Sequence, residues 1–303
     1  MANNLKDILE KIFGDLAPSQ LFINVDLTSL TTMRLKSIGH YALVKNQDNL
    51  IKLILRLKEE MIEYRLIGWG ANQLIPYDSS KVLYIKLDFP NVLDNEIQKT
   101  HYEFNASTPL SNLVSISMKL GNIGWEALTG IPASVGGAIF MNAGTKLGEV
   151  ASLLKSVNVL RAKGNIEEVF ITKDSFSYRK NHFLDSGDII LSGVFTQIGF
   201  DQEKIPQKIK EYMSYRKSTQ PLKSHNCGCV FKNPPGESAG RIIEECGLKG
   251  FKYKNLVVST IHANFIENIG DANLEDFVGL VNHIRETVYK KYQIELELEV
   301  KFF

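Results

Sequence analysis

The chain is short of cysteine, of long apolar runs and of net charge, and each shortage excludes something. Three cysteines occur in 303 residues: Cys227, Cys229 and Cys246. An odd, sparse set does not make a disulfide framework and points to free thiols in a reducing compartment. C-x-C is not a zinc spacing, and no second cysteine pair or His pair completes four ligands, so no metal is expected. No stretch approaches the roughly 18 apolar residues that a membrane-spanning helix needs. The start, Met1-Ala2-Asn3-Asn4-Leu5-Lys6-Asp7, lacks the basic opening, apolar centre and small-residue cleavage site of a secretory signal. A cytoplasmic location is the expectation. The formal net charge is +1, so no global field draws the chain to nucleic acid or an anionic membrane. Internal repeats and low-complexity tracts are also missing.

What is present is an alternation of strand and helix patterns. Leu5 to Leu16 reads as a short amphipathic helix. Tyr41–Val44 reads as a strand. A helix capped by Asp48 follows, carrying Leu50, Ile51, Leu53, Ile54 and Leu57, and then a strand at Tyr64–Gly68. Lys81 to Leu87 gives a further strand. A helix from Leu110 to Leu120 leads into the densest run of small residues, Gly124 to Gly144, and strands are expected at 157–161, 167–171 and 188–197. A polar helix near 202–215 precedes a last stretch. That stretch has a helix ending at Gly247, an amphipathic helix from Leu274 to Tyr289 capped by Asn273 or Asp271, and a period-two strand, Ile294 to Val300.

Four constellations carry chemistry. Two glycine loops, Gly68-Trp69-Gly70-Ala71-Asn72 and Ile131 to Ala138, suit a pyrophosphate-bearing ligand, because glycine permits close approach and positive φ. Neither matches a Walker A or a G-x-G-x-x-G fingerprint. Cys229 precedes Val230-Phe231-Lys232-Asn233. A free thiol, with a reference pKa of about 8.5, is a proton donor near neutrality, although an isolated cysteine is more often a small buried apolar residue. The closing strand turns Glu295, Glu297 and Glu299 to one face, and the pattern does not choose among them. Arg179, in Tyr178-Arg179-Lys180-Asn181, reads alone as a surface charge or ion-pair partner. In a flavin site it would stabilise developing negative charge.

The order of these blocks resembles the UDP-N-acetylenolpyruvoylglucosamine reductase (UDP-N-acetylmuramate dehydrogenase) family. Gly130-Ile131-Pro132-Ala133-Ser134-Val135-Gly136-Gly137-Ala138 with Met141-Asn142-Ala143-Gly144 is similar to one family block. Val230-Phe231-Lys232-Asn233-Pro234 with Ala239-Gly240-Arg241-Ile242-Ile243-Glu244 is similar to another, and His262-Ala263-Asn264-Phe265 also fits. The resemblance runs from about Thr31 to the C-terminus. It implies an α+β protein: an FAD-binding domain of the vanillyl-alcohol-oxidase type in two subdomains (20–88 and 89–200) and a C-terminal α/β substrate domain (205–303). FAD and NADPH are the implied cofactor and reductant, and UDP-N-acetylglucosamine enolpyruvate is the implied substrate. The protein is expected to be a monomer acting in peptidoglycan precursor synthesis.

By matching position, the resemblance assigns Arg179 to the substrate carboxylate and Cys229 to protonation of C2, where the family most often has serine. It assigns Glu299 to assist there, and Lys232 and Asn233 to hold substrate. Gly68, Trp69, Gly70, Ala71, Asn72, Gln73, Ile131, Ser134, Gly136, Gly137 and Ala138 would hold FAD. The sequence departs from the family at Lys36 and Ser37, where a Gly-Gly pair is usual, and at Trp69, Ala133 and Asn181. The stretch between Ser156 and Phe200 is short for an extra substrate-covering subdomain, which implies the shorter subtype with a more open site. Two other functions stay open on the sequence alone. One is a different FAD-linked oxidase or dehydrogenase, marked by oxygen-dependent turnover. The other is a non-catalytic flavin or nucleotide-sugar binder, marked by bound FAD without activity.

Overall fold

The computed structural model describes residues 5–90 and 100–302. Met1–Asn4, on which the reading of the N-terminal start partly rests, lie outside the described residues, as do 91–99 and Phe303. The chain begins with α1 (Leu5–Phe13), β1 (Gln20–Asp26), β2 (Ile38–Val44), α2 (Gln47–Glu59) and β3 (Tyr64–Ile67). Then come β4 (Gln73–Leu74), β5 (Asp78–Leu87), β6 (His101–Asn105), α3 (Leu110–Leu120) and α4 (Val135–Phe140). Short pairs β7 (Gly144–Thr145) with β8 (Gly148–Glu149), and β11 (Phe176–Ser177) with β12 (Lys180–Asn181), flank β9 (Leu154–Leu160) and β10 (Ile166–Phe170). After β13 (Ile189–Thr196) come α5 (Lys204–Thr219), α6 (Ala239–Glu245), β14 (Lys252–Tyr253), β15 (Leu256–Val258) and β16 (Ile266–Asn268). The chain closes with α7 (Leu274–Tyr292) and β17 (Lys301–Phe302).

Two compact units result. The first comprises Met1–Phe22, Tyr41–Trp69 and Leu83–Ser214; the second comprises Ile23–His40, Gly70–Val82 and Tyr215–Phe303. In the first, β3 pairs in parallel with β5, as expected of two strands joined through a longer connection. A four-stranded sheet has the order β10-β9-β13-β6. Its core holds Trp125, Tyr102, Phe104 and Phe195 as an aromatic cluster. The Trp125 ring stands edge-on to Tyr102 at 5.3 Å and to Phe195 at 6.1 Å, an arrangement worth about 0.5–1.5 kcal/mol per pair beyond burial. Helix α3 follows Pro109 and stops at Gly121, whose φ of +74° suits glycine.

The second unit wraps its core around α7. Phe277, Leu280, Val281, Ile284 and Val288 recur at helical spacing and are buried with Ile242, Ile243, Val230, Phe231, Leu296 and Val300. Asn273 caps α7 in a reciprocal capping box with Asp276, so Asn273, and not Asp271, is the cap. Two other expectations are corrected. Helix α2 is capped by Asn46, whose side chain accepts Asn49 N–H, while Asp48 lies one residue inside the helix. The segment Ile294 to Val300 keeps the expected alternation, with Leu296 and Val300 buried and Glu295 and Glu297 exposed. It is not a continuous strand, however. It forms one antiparallel bridge, Leu298 with Phe231, and then β17 pairs in parallel with β4.

Candidate active site

In the first unit, β3 delivers Gly68 and Trp69 against the turn that opens α4. A Cβ on Gly68 would lie 2.9 Å from Ser134 Oγ, and one on Gly136 would lie 2.8 Å from Ala106 Cβ. These glycines therefore serve close packing of protein on protein. Ser134 caps α4, its Oγ accepting Gly137 N–H at 3.3 Å. The N–H groups of Val135, Gly136 and Ala138 donate to Thr108 O, Ala106 O and Ser134 O. The amides of this loop are thus already engaged, two with Ala106 and Thr108 and two with Ser134. Ala138 also packs its side chain into the core.

What the loop offers instead is shape. Trp69, Pro109, Ser111, Gly130, Ile131, Pro132 and Ala133 line a cleft of about 200 Å³. A Cβ on Gly137 would meet only its own capping Ser134 Oγ, at 3.4 Å. A half-exposed indole facing prolines and small residues fits a flat, partly apolar group such as a ring of FAD.

The same unit holds Arg179. It sits in the two-residue turn between β11 and β12 with φ +57°, a left-handed conformation uncommon outside glycine. Its guanidinium donates to Asn142 O at 3.2 Å and Gly144 O at 3.4 Å, lies 3.9 Å from Glu149 Oε1, and stacks 4.9 Å over Tyr178. Asn142 is 1 % exposed. Its Nδ2 donates to Glu149 Oε2 at 2.8 Å and to Ser177 O at 3.1 Å, while its Oδ1 accepts Ala151 N–H. Asn142 and Glu149 thus fasten the turn that carries Arg179. Sequence reasoning did not name them as site residues, although Asn142 lay inside the quoted Met-Asn-Ala-Gly block. Asn181, the departure from the family serine, donates to Phe140 O at 2.8 Å and accepts Leu184 N–H.

The second unit holds the thiols and the acids. Gly228, at φ +77°, separates Cys227 from Cys229, and its N–H donates to Asn226 Oδ1 at 3.0 Å. Cys227 is 2 % exposed, and burial pushes its thiol up to about 12; Cys229 is half-buried. Val230 O accepts Glu299 N–H at 2.9 Å, and Lys232 N–H donates to Glu297 O at 2.8 Å. This pairing sets the stretch from Cys229 to Lys232 in register with the closing segment. The geometry separates the three glutamates. Glu295 is exposed and Glu297 pairs with the Lys232 ammonium, which holds its carboxyl below the usual range. Glu299 is half-buried and, like Cys229, lies close enough to Cys227 to disfavour its thiolate.

Gly70 to Gln73 also belong to this unit. Gly70, at φ +72°, lies so close to Leu30 O that a Cβ would stand 2.1 Å away. Asn72 Nδ2 donates to Glu299 O at 3.1 Å, and its carbonyl accepts Lys301 N–H. Gln73 pairs with Lys301. Asn233 Oδ1 accepts Ala239 N–H at the start of α6. Lys36 and Ser37 have roles within the same unit. The N–H of Lys36 donates to Ala272 O, and Ser37 Oγ donates to Pro76 O at 2.7 Å.

A cleft beside a strand-end glycine loop in one unit, and a thiol with glutamates on neighbouring segments in the other, fit a two-part flavoprotein. Residues 39–169 match a family described as an FAD binding domain, and residues 220–303 match the C-terminal domain of UDP-N-acetylenolpyruvoylglucosamine reductase. The UDP-N-acetylenolpyruvoylglucosamine reductase of Halalkalibacterium halodurans is 34% identical over 281 residues, covering 92% of this chain and 93% of its own. That of Carboxydothermus hydrogenoformans is 34% identical over 285 residues, covering 93% and 94%. The crystal structure of UDP-N-acetylenolpyruvylglucosamine reductase from Thermus caldophilus superposes with a TM-score of 0.78 at 32% identity, covering 94% of this chain and 98% of that one. The chain belongs to the UDP-N-acetylenolpyruvoylglucosamine reductase family.

Proposed function

We propose that this protein reduces the enolpyruvyl ether of UDP-N-acetylglucosamine to UDP-N-acetylmuramate, using FAD and NADPH, in peptidoglycan precursor synthesis. The observation that carries this reading is kinship with named reductases over nine-tenths of both chains. When bound, FAD relays two electrons from NADPH to the substrate double bond. This chain's residues supply the rest. Arg179, held by the carbonyls of Asn142 and Gly144, pairs with the substrate carboxylate as negative charge develops beside it. The Cys229 thiol donates the proton that C2 needs, while C3 receives the hydride. Glu299, whose N–H donates to Val230 O beside Cys229, supports the protonation step. Lys232 exchanges Glu297 for a substrate anion, and Asn233 contributes its amide. Trp69 and Ile131 line the cleft assigned to FAD, with Gly68, Ser134, Gly136, Gly137 and Ala138 building the turn next to it in sequence and Gly70, Ala71, Asn72 and Gln73 continuing the first glycine loop.

The division 20–88, 89–200 and 205–303 describes the two flavin-binding stretches and the substrate stretch, in a cytoplasmic monomer without nucleic-acid or membrane partners. The test is anaerobic. NADPH should bleach the yellow protein, and the enolpyruvyl nucleotide sugar should restore its colour. Bleaching by a simple alcohol or hydroxy acid in place of NADPH, with colour then restored by admitted oxygen and not by the sugar, would refute the reading.

A further inference from the structure

The turn His262–Phe265 has no part in the chemistry above, yet it grips the donor segment. Phe231 is 1 % exposed. Its N–H donates to Asn264 Oδ1 at 2.9 Å, and its carbonyl accepts Asn264 Nδ2 at 2.8 Å. One side-chain amide thus completes both backbone groups of a buried residue, as a neighbouring strand would. The Asn264 carbonyl also accepts Val230 N–H at 2.9 Å. On its other edge the same segment bonds to Glu297 and Glu299. Asn264 is itself buried and braced. Its N–H donates to His262 Nδ1 at 3.2 Å, and the His262 ring packs edge-on to Phe265 at 4.9 Å. Gly240 makes room for that ring, since a Cβ there would lie 2.9 Å from His262 Cε1.

We propose that Asn264 is a positioning residue for the reductase, fixing through Phe231 and Val230 where the Cys229 thiol and the Lys232 ammonium stand. The inference rests on the activity proposed above. It follows from the donor–acceptor inventory: a primary amide satisfies an N–H and a C=O together. A carboxylate satisfies only the N–H and sets a charge against the carbonyl, and an alkyl group satisfies neither.

The experiment separates the two phases in FAD-loaded protein. Bleaching by NADPH delivers no proton to carbon; colour recovery with the sugar does. In Asn264→Leu and Asn264→Asp the recovery phase should slow about 10- to 100-fold, the scale of a misplacement near 1 Å, while bleaching stays within about twofold of wild type by the same reasoning. Asn264→Asp adds a readout that a purely structural role would not move. Protonation gives its side chain an O–H donor as well as an acceptor, so its recovery phase should quicken relative to wild type as pH falls. The wild-type profile, run alongside, carries the common titrations of His262, Cys229, Glu297, Glu299 and Lys232. Val281→Ala, a core change in the same unit, controls for lost stability and should leave both phases unchanged per bound FAD. Failure of wild type to recover colour would overturn the activity itself. A variant-to-wild-type ratio near one, or both phases slowed alike, would overturn the role of Asn264. If Asn264→Leu does not fold, the pH response of Asn264→Asp decides alone.

Discussion

Cys227 and Cys229 stand two residues apart and differ in what can reach them. Burial raises the Cys227 thiol to about 12, so it forms little thiolate and resists alkylation; Cys229 is half-buried. Cys229→Ser should therefore keep turnover and lose inactivation by iodoacetamide. Cys229→Ala should lose about 10²- to 10⁴-fold in turnover, the usual contribution of general acid catalysis. A serine variant that is inactivated as fast as wild type would move the reactive thiol elsewhere. Side-chain identity made this residue a candidate, but its environment could not be read from identity, and the same holds for the glutamates. Ion pairing and exposure, which depend on Lys232, separate Glu299 from Glu297. Asn142 and Asn264 were harder still. A buried polar hub has no periodicity of its own, because its partners lie far away in sequence.

A second residue-scale prediction concerns Asp188, whose side chain is 2% exposed and pairs with Arg161 at 2.7 Å. Burial raises its pKa, but N–H donation from Asp185, the Arg161 guanidinium and the Ala162 N–H outweigh it, and the net shift is downward from 3.8. A depressed carboxyl stabilises the fold above its unfolded pKa, and that contribution fades as pH falls through the folded value. Asp188→Ala should cost about 3 kcal/mol near neutrality by leaving a partly buried guanidinium short of a partner. Urea titration should show this cost shrinking below pH 3.8. A cost independent of pH would remove the ion pair from the explanation.

Among the elements, helices were legible and caps less so. The period-3.6 stripe placed α7 to within a few residues, because that stripe is the face that enters a core. The cap of α2 was missed by two residues, since Asn46 and Asp48 are both good caps and only the φ/ψ of Asn46 decides. For α7 the reciprocal box with Asp276 makes Asn273 worth replacing. Asn273→Ala should lower stability by about 1 kcal/mol, with FAD content per folded chain unchanged, as chemical denaturation and flavin absorbance would show. The closing segment teaches the converse. Its alternation reflects burial against α7 and α6 and says nothing of a ladder, because backbone pairing depends on where Val230 and Lys232 run. The glycine loops misled for a related reason. Glycine density reports where backbone must come close, and at Gly68 and Gly136 the close neighbours are Ser134 and Ala106.

At the scale of the molecule, the chain builds two cores from interleaved stretches, and no composition shift marks where one ends. Strands β1, β2 and β5 and helix α5 each run through such a division, so neither unit is one contiguous stretch of chain. The family match for FAD binding, over 39–169, lies mainly on the unit that holds the Trp69 cleft. A ligand that binds the folded state alone stabilises it by RT ln(1 + [L]/Kd), about 2.7 kcal/mol at a hundredfold excess over Kd. At about 2–4 °C per kcal/mol for domains of 150–250 residues, FAD should raise the unfolding temperature of flavin-stripped protein by about 5–10 °C. The two tryptophans report where the ligand sits. Trp125 is wholly buried in the aromatic cluster, and Trp69 is 45% exposed at the cleft. FAD should quench the Trp69 emission, and Trp69→Phe should remove most of that quenching while leaving a thermal shift. Equal quenching in Trp69→Phe would place the flavin away from this cleft, and an absent thermal shift would count against FAD as the resident cofactor.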